Sequence, residues 1–472
     1  MSTPLPPDKS TVQGLIMRGY THPYSSHLLF RFSSKAAASQ FIKALLPYLR
    51  SAENWGTNKP DKMLNIGLTF TGISIASSLT KTELNAFPNT FTTGPASQGS
   101  QGSLQDYGEG DPEKWLFGGL LTNGNPDPAK RVDAIVHSYA MHQNSLNELT
   151  DFIAKAATAA GVVELLPLDG GKGRLEQYQL PVDTIHFGYR DGISEPDLNW
   201  PETWPAPPVN TDPADLNNFL IGYPNSAFQP GPSNPATPNA SAFAKDGCYN
   251  AFRVLYQDVN AFDKYLSDNA PVVAQTLGKS TEYAKEWLAA KLNGRWRNGS
   301  PLILSPDAPD PATADATNFS YTEDTKGLKC PFSAHTRVGN PRDEALFPAE
   351  SPVPRLIRRG VPYGAPPVSD NDKGERGLIG LFLCGALASQ FELIYSWINT
   401  NNFSPLFSPN FDTQDALLAN RATPDMDTTF TIPIPGAAKP LVLPKLPQFI
   451  VARGTAYCLL PSIPTLKAIA EG

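Results

Sequence analysis

The chain has 472 residues, of which 40% are hydrophobic and 18% are charged, and its formal net charge is −7. This balance excludes an intrinsically disordered protein and supplies enough apolar material to line a large buried pocket. A modestly acidic chain without a concentrated stripe of lysine and arginine is not typical of proteins that bind nucleic acid or anionic membranes. At this length, two domains or a duplicated architecture are expected.

The first residues, MSTPLPPDKSTV, lack the apolar stretch of a secretory signal. No later stretch approaches the ~18 uninterrupted apolar residues of a membrane-spanning helix. We therefore expect a cytoplasmic protein with no membrane partner, and we keep encapsulation in a protein shell and non-classical export as alternatives.

The four cysteines stand far apart in the chain, at Cys248, Cys330, Cys384 and Cys458. Their spacing contains neither a Cys-x-x-Cys zinc half-site nor the Cys-x-x-Cys-His attachment of c-type haem. We therefore expect reduced thiols.

The first half of the chain alternates between strand and helix patterns. Val12 to Met17 and His27 to Phe32 are rich in strand-forming residues. Lys35 to Leu46 has apolar residues at helical spacing, and Met63 to Phe70 alternates as a strand does. Ala134 to Ala140 is a further apolar run. These interleaved elements predict an α+β fold of the ferredoxin-like kind, and a doubly wound parallel sheet is the alternative.

A helix is predicted after the run that ends at Ala140, with Ser145 and Glu148 forming a capping box at its start. The second half repeats the same sequence pattern. Asn250 to Tyr256 reads as a strand and Val259 to Leu266 as the beginning of a helix. Between the halves, the stretch from about Pro205 to Ala242 is rich in proline, asparagine and serine, which is typical of a linker or a long surface insertion.

Four segments carry candidate functional residues, and each has an ordinary structural interpretation. In the segment 186–196, two glycines bracket Asp191, and an isolated pattern of this kind is usually an Asx turn. Gly294 to Leu302 contains two arginines and a tryptophan, and by itself it reads as a helix cap with surface arginines. Cys330 to Arg342 contains His335, although a lone histidine is more often structural than a ligand. Arg355 to Gly364 contains three arginines and alone reads as a solvated strand end.

Taken in this order, the four segments resemble the dye-decolorising peroxidase family. The patterns are Gly-x-x-Asp-Gly, then Gly-Arg-Trp-x-x-Gly-x-Pro, then Cys-Pro-x-x-x-His-x-Arg-x-x-Asn-Pro-Arg, then Arg-Arg-Gly-x-Pro-Tyr-Gly. The start at Val12-Gln13-Gly14-Leu15-Ile16 is also similar to the start of that family, so the resemblance covers nearly the whole chain. It implies two ferredoxin-like modules that form a dimeric α+β barrel-like architecture within one chain.

The division implied is an N-terminal domain at 1–205, a proline-rich linker at 206–243 and a C-terminal haem-binding domain at 244–472. The cofactor implied is haem b, held non-covalently. His335 corresponds to the proximal iron ligand and Asp191 to the distal acid and base.

The resemblance also assigns residues around this pair. Arg358 corresponds to the distal arginine, with Arg355 and Arg359 as alternatives because all three lie within five residues. Arg337 is similar in position to a residue that contacts a haem propionate, and Gly192 lies in the cofactor-binding loop beside Asp191.

Three further residues are candidates for supporting roles. Glu392 is a candidate partner of the second ring nitrogen of His335, and an ordinary exposed glutamate is the alternative. Trp397 and Tyr363 are candidate electron relays because they lie near the motif segments, although most aromatic residues are core residues.

The activity implied is the reduction of hydrogen peroxide and the oxidation of dyes, phenols or similar one-electron donors through a ferryl intermediate. Because an aspartate has an unperturbed pKa near ~3.9, activity is expected to extend to low pH. The alternative is a haem-binding or haem-delivery protein with incidental peroxidase activity, which would have no need of a distal acid paired with an arginine. Small molecules are the expected partners, and both a monomer and a homo-oligomer are compatible with the sequence.

Overall fold

The computed structural model describes residues 7–196, 198–200, 214–223, 234–344, 353–400, 414–421 and 428–472. Within these residues the chain has the predicted α+β class, with helices packed against a large antiparallel sheet. The strands are β1 Tyr24–Arg31, β2 Lys62–Thr69, β3 Ala134–Ala140, β4 Val163–Leu165, β5 Leu175–Glu176, β6 Leu198–Asn199, β7 Ala214–Asp215, β8 Cys248–Gln257, β9 Ile357–Arg358, β10 Val361–Tyr363, β11 Gly377–Cys384, β12 Phe430–Ile432, β13 Leu441–Leu443 and β14 Ile450–Leu460.

The helices pack against the sheet and against one another. The α-helices are α1 Gly14–Met17, α2 Lys35–Leu45, α3 Phe70–Ala76, α4 Lys81–Leu84, α5 Asn89–Thr93, α6 Gln98–Leu104, α7 Gln143–Ala160, α8 Pro238–Ala244, α9 Val259–Leu277, α10 Thr281–Asn293, α11 His335–Gly339, α12 Leu393–Thr400 and α13 Ile463–Glu471. A π-helical turn, Leu387–Glu392, leads directly into α12.

The two halves of the chain form sheets of the same topology. In the first half the strand order is β2-β3-β1-β4, and α2 and α7 provide the crossovers. In the second half the order is β10-β11-β8-β14, with the second strand split into β9 and β10, both of which pair with β11. In each half the first and third strands lie in the middle, which confirms the prediction of two ferredoxin-like modules.

The modules join where β14 pairs with β2, so that one sheet of ten strands runs through the molecule. The strand order runs from β10 to β4 without returning, and the described strands therefore form an open sheet. The ladders of this sheet are antiparallel, and strand β8, which pairs with β11 and β14, is buried along its whole length. A sheet that is covered on both faces leaves room for a ligand only where its covering elements separate.

Most predicted elements of the first half agree with the structure, and two predictions are wrong. The strand predicted over Val12 to Met17 is the short helix α1, whose residues Gly14, Leu15 and Ile16 are buried. The capping box at Ser145 does not form, because α7 begins at Gln143 and the Ser145 hydroxyl donates to Asp61 instead. A run of apolar residues and a Ser-x-x-Glu spacing are each compatible with more than one local structure.

The predicted linker 206–243 lies partly outside the described residues, at 206–213 and 224–233. Its described part is packed into the protein, since Phe219, Leu220 and Ile221 are fully buried. Phe219 and Leu220 share a core cluster with Val12 near the start of the chain. The domain boundaries stay a prediction, and the described part of this segment belongs to the packed body of the molecule.

Candidate active site

A large cavity lies between the sheet of the second module and helices α11 and α12. Its volume is about 260 Å³, far more than the ~15 Å³ that one water molecule needs. Strand residues and helix residues both line it, together with the loop after β5 that carries the Gly-x-x-Asp-Gly motif. The apolar lining includes Leu255, Leu378, Leu381, Phe382, Ile394, Ile398, Leu417, Leu418 and Ile450. The cavity can therefore hold a bulky, largely apolar group.

His335 lines this cavity from the first position of α11. Its Nδ1 lies 2.7 Å from Oδ2 of Asp415, and the imidazole side chain is 30% exposed. When Nδ1 carries the proton and donates it to this carboxylate, the Nε2 lone pair remains available to a metal. No hydrogen bond of Nε2 occurs among the described residues, so the ring has the form that an axial ligand of iron requires.

Asp415 is a functional candidate that sequence reasoning missed. Its side chain is fully buried, and its Oδ1 accepts hydrogen bonds of 2.8 Å from the backbone N–H groups of Leu417 and Leu418. These contacts hold the carboxylate of Asp415 in place, and this carboxylate in turn holds the imidazole of His335. Asp415 lies 80 positions after His335 and outside the four motifs, so the sequence alone contains no signal that pairs the two.

Glu392, the predicted partner of His335, lies at the end of the π-helical turn. Its carboxylate is buried and accepts a hydrogen bond of 2.7 Å from the hydroxyl of Tyr457. The structure therefore gives Glu392 a different partner, and the carboxylate against His335 is that of Asp415.

The loop that carries Asp191 is anchored by its neighbours. Tyr189 is buried, and its hydroxyl donates to the carbonyl of Ala289 at 2.7 Å, while the Asp191 N–H donates to the carbonyl of Asp183 at 2.9 Å. Gly192 has φ of +75°, a conformation that suits glycine and turns the chain directly after Asp191. The Asp191 side chain is exposed and lines the cavity, as does Gly192.

The three candidate arginines take different positions. Arg358, on the short strand β9, and Arg355 both line the cavity, whereas Arg359 does not. The guanidinium of Arg359 is largely buried and bonds to Glu195 and to the carbonyl of Leu15.

Arg337 does not line the cavity, although it lies only two residues after His335. Its guanidinium is fully buried and bonds to the carboxylates of Asp324 and Glu344 and to the carbonyl of Cys330. A contact with a haem propionate would require these bonds to break, and this role of Arg337 stays a prediction.

Arg295 and Arg342 also line the cavity, as does Arg190 beside Asp191. Arg295 belongs to the Gly-Arg-Trp segment, and its guanidinium donates to the carbonyls of Gly299 and Ala316. Burial lowers the pKa of Arg295 to about 10, so it remains a cation at neutral pH. The guanidinium of Arg342 lies 3.9 Å from the ring centre of Phe319, also beside the cavity. The motifs contained both arginines, but the Gly-Arg-Trp segment taken alone favoured a surface position for Arg295.

The predicted electron relays lie away from the cavity lining. Trp397 on α12 is 7% exposed, and Tyr363 on β10 is fully buried with its hydroxyl 3.3 Å from Oε2 of Glu375. Both side chains are therefore buried, and their role in electron transfer stays a prediction.

The residues of the cavity fit a haem. A flat apolar group matches its lining, the Nε2 of His335 is available to iron, and Arg295 and Arg342 supply positive charge for carboxylates at its edge. Gln257 adds an independent observation, since it lines the cavity, is fully buried, and has no hydrogen-bond partner for either amide atom among the described residues. A buried amide without a partner costs about 1–3 kcal/mol, which favours an occupied cavity.

Other kinds of site find less support in the described residues. They contain no group of three or more histidine, cysteine or acidic side chains arranged to hold a metal ion. All four cysteines are buried without disulfide bonds, and none lines the cavity. No helix in the described part of the chain is long and apolar enough to cross a membrane.

Known proteins with similar sequences are named as dye-decolorizing peroxidases or as peroxidases. No family model matches the chain. A dye-decolorizing peroxidase of Exidia glandulosa is 31% identical over 296 residues, which cover 59% of this chain and 54% of that protein. Peroxidase 2 of Mycetinis scorodonius is 26% identical over 498 aligned positions, which cover 97% of this chain and 86% of that protein. A solved structure of an ancestral D-type dye decolorizing peroxidase superposes with a TM-score of 0.77 at 26% identity and covers 98% of this chain and 99% of its own.

In sequence and in fold, the chain is similar to dye-decolorising peroxidases. The matched region spans just over half the length of several curated family members, while the alignment with Peroxidase 2 extends over nearly the whole chain. A further family structure, a complex with cyanide, superposes with a TM-score of 0.78 at 22% identity, which supports the fold. This similarity agrees with the resemblance that the four motifs carry.

Proposed function

We propose that this protein is a haem peroxidase that reduces hydrogen peroxide and oxidises dyes, phenols or similar small electron donors. The observation that carries the proposal is that Asp191, Arg358 and His335, which come from three separate motifs, line one cavity. Curated relatives named as dye-decolorizing peroxidases support the same activity.

Haem b would be held by coordination to His335 and by the apolar lining, without a covalent bond. Haem, when bound, supplies the iron at which peroxide is reduced and electrons are exchanged with the donor. Asp415 holds the imidazole in one orientation and keeps the proton on Nδ1. Arg295 and Arg342 would pair with the anionic edge of the cofactor, a role for which their position on the cavity is better suited than that of Arg337.

Asp191 would act as both base and acid. Its carboxylate takes a proton from one peroxide oxygen and returns it to the other, so that water leaves. Arg358 stabilises the negative charge that develops as the O–O bond breaks, since its guanidinium carries a permanent charge and several N–H donors. A carboxylate base of this kind works in acid, where a histidine base is already protonated.

The electron donors are proposed from the chemistry of relatives. One solved family structure is described as a complex with 2,6-dimethoxyphenol, a small phenol. Donors too large for the cavity would need a relay, for which Trp397 and Tyr363 stay candidates. Peroxide and small donors are thus the proposed partners, with a cytoplasmic location and either a monomer or a homo-oligomer.

A haem-delivery protein is the second candidate function. It would use His335 and the apolar lining in the same way, but it gives no role to Asp191 or Arg358. The reaction with peroxide therefore separates the two functions.

The axial ligand is tested by absorption spectroscopy of the haem-loaded protein. We expect His335→Ala to change the Soret band and the spin state of the iron, because the imidazole no longer coordinates it. A variant spectrum identical to that of the wild type would show that another residue binds the iron.

The distal base is tested by stopped-flow mixing with peroxide. Asp191→Asn should slow the reaction about 10²- to 10⁴-fold, which is the usual contribution of a positioned acid or base. Asp315→Asn is the matched control, because Asp315 pairs with Arg190 of the same loop and does not line the cavity. Equal rates for both variants and the wild type would favour the haem-delivery function.

A further inference from the structure

Glu195 connects the loop of Asp191 to the strand of Arg358. Its Oε2 accepts the backbone N–H of Arg358 at 2.8 Å, and its Oε1 accepts the Nε–H of the same arginine at 3.2 Å. The Nη1 of Arg359 lies 3.0 Å from Oε2. Four positions after Asp191, one carboxylate thus holds both the backbone and the side chain of Arg358.

These contacts leave the terminal N–H groups of the Arg358 guanidinium available. A guanidinium has five N–H donors, and Glu195 uses only the one on Nε. Among the described residues, neither terminal nitrogen of Arg358 has a hydrogen-bond partner, and Arg358 lines the cavity. A guanidinium fixed at Nε can present its terminal N–H groups in a defined direction, since the fork is planar and rigid.

The ion pair between Glu195 and Arg358 contributes little to the stability of the protein. The Arg358 side chain is 41% exposed, and pairs with this exposure contribute little to the free energy of unfolding because water screens them. Arg359, by contrast, is 8% exposed, so its bond to Glu195 serves packing. The contacts of Glu195 with Arg358 are therefore better explained by orientation than by stability.

We propose that Glu195 is a positioning residue that holds the guanidinium of Arg358 toward the reacting end of the cavity. The proposal rests on the function proposed above, because it assigns Glu195 a role through the distal arginine. It gives the Gly-x-x-Asp-Gly segment two tasks, since the same loop presents the carboxylate of Asp191 and orients the cation that acts beside it.

The test uses fluoride as a probe of the distal hydrogen bond in the haem-loaded protein. Fluoride bound at the iron accepts hydrogen bonds from the distal side, and its affinity is measured by absorption without turnover. Glu195→Gln should weaken fluoride binding about tenfold, the size of one charge-assisted hydrogen bond. Glu195→Asp, which keeps a carboxylate, should restore most of the loss.

Glu164→Gln is the matched control. Glu164 also pairs with an arginine through two bonds, to Arg174 at 2.7 and 3.1 Å, at similar exposure and without any contact with the cavity. Its fluoride affinity should equal that of the wild type. Thermal unfolding of each variant, followed by circular dichroism, separates a change in orientation from a loss of folded protein.

Two outcomes would overturn the proposal in distinguishable ways. If Glu195→Gln binds fluoride as the control does while Arg358→Leu binds it more weakly, Glu195 has no positioning role and the proposed function stands. If Arg358→Leu also binds fluoride as the wild type does, the role of Arg358 in the proposed function fails, and the role of Glu195 fails with it.

Discussion

The imidazole of His335 is fixed by one carboxylate, and that carboxylate is fixed by two backbone N–H groups. This chain of contacts runs from the backbone at residues 417 and 418 through Asp415 to the ring. A carboxylate in this position increases the basicity of the imidazole and sets its orientation, so it acts on a bound metal without touching it. The properties of the site thus depend on a residue that is itself fully buried.

We expect Asp415→Asn to weaken haem binding about 10- to 100-fold, because an amide cannot supply the negative charge that supports the ring. Haem titration followed at the Soret band measures the loss. Glu392→Gln makes the same carboxylate-to-amide change at a residue that contacts Tyr457, and it should bind haem as the wild type does. The opposite ranking of the two variants would return Glu392 to the role of histidine partner.

At the scale of elements, the position of α11 depends on the end of α10. Gly294 ends α10 with φ of +95°, and a Cβ atom added there would lie 2.0 Å from Oγ1 of Thr336 and 3.2 Å from Sγ of Cys330. Thr336 directly follows His335. The close packing of the Gly-Arg-Trp segment against the histidine segment therefore requires glycine at this position.

Gly294→Ala should lower the free energy of unfolding by about 2–5 kcal/mol, since it adds a collision to the cost of a left-handed alanine. Gly278→Ala is the control, because Gly278 ends α9 with φ of +63° and a Cβ there meets nothing within 4 Å. The control should lose only about 1–2 kcal/mol. Urea unfolding measures both values, and equal losses would show that the contact with Thr336 adds nothing.

The elements differ in how well the sequence predicts them. Helix α2 is predicted from its helical spacing, because one face of it packs on the core. Strands β1, β2 and β3 are buried on both faces along most of their length, and their apolar or β-rich runs predict them. The run Val12 to Met17 has strand-forming composition but forms α1, since its position against the sheet decides its structure. The contact between His335 and Asp415 depends on how distant segments meet in three dimensions, and no local pattern encodes it.

At the scale of the whole molecule, the sheet contains a buried pair of histidines. His27 on β1 and His137 on β3 are directly opposite, with their Nδ1 atoms 2.9 Å apart and both side chains fully buried. The rings pack against Phe252 and Tyr139, and neither Nε2 has a partner among the described residues. Burial lowers the pKa of His27 to about 3 and that of His137 well below its ordinary value, where the neighbouring imidazole adds to the effect.

This pair makes stability depend on pH in acid. Between the ordinary histidine pKa of ~6.5 and about 3, the unfolded chain binds protons that the folded chain does not. The free energy of unfolding should therefore fall as pH decreases through this range, by at most about 2.7 kcal/mol per pH unit for two groups. Above pH ~6.5 both states are neutral at these residues, and the contribution is constant.

Replacement of both histidines by leucine should flatten the dependence between pH 6.5 and 4, as measured by urea unfolding at a series of pH values. His142→Gln is the control, because His142 is exposed at the start of α7 and should leave the slope unchanged. A slope that persists in the double variant would assign acid sensitivity to other groups. A flattened slope would mean that protonation of this buried pair limits the stability of the protein, and with it the proposed activity, in acid.

The place of β14 in the sheet has a consequence for synthesis. This strand follows every other strand of the sheet in chain order, yet it lies between β8 and β2 and is the link between the two modules. On the ribosome, both neighbouring strands have emerged long before residues 450–460 and keep unpaired edges until then. The assembly of the sheet, and with it the wall of the cavity, must therefore wait until residues 450–460 have been translated.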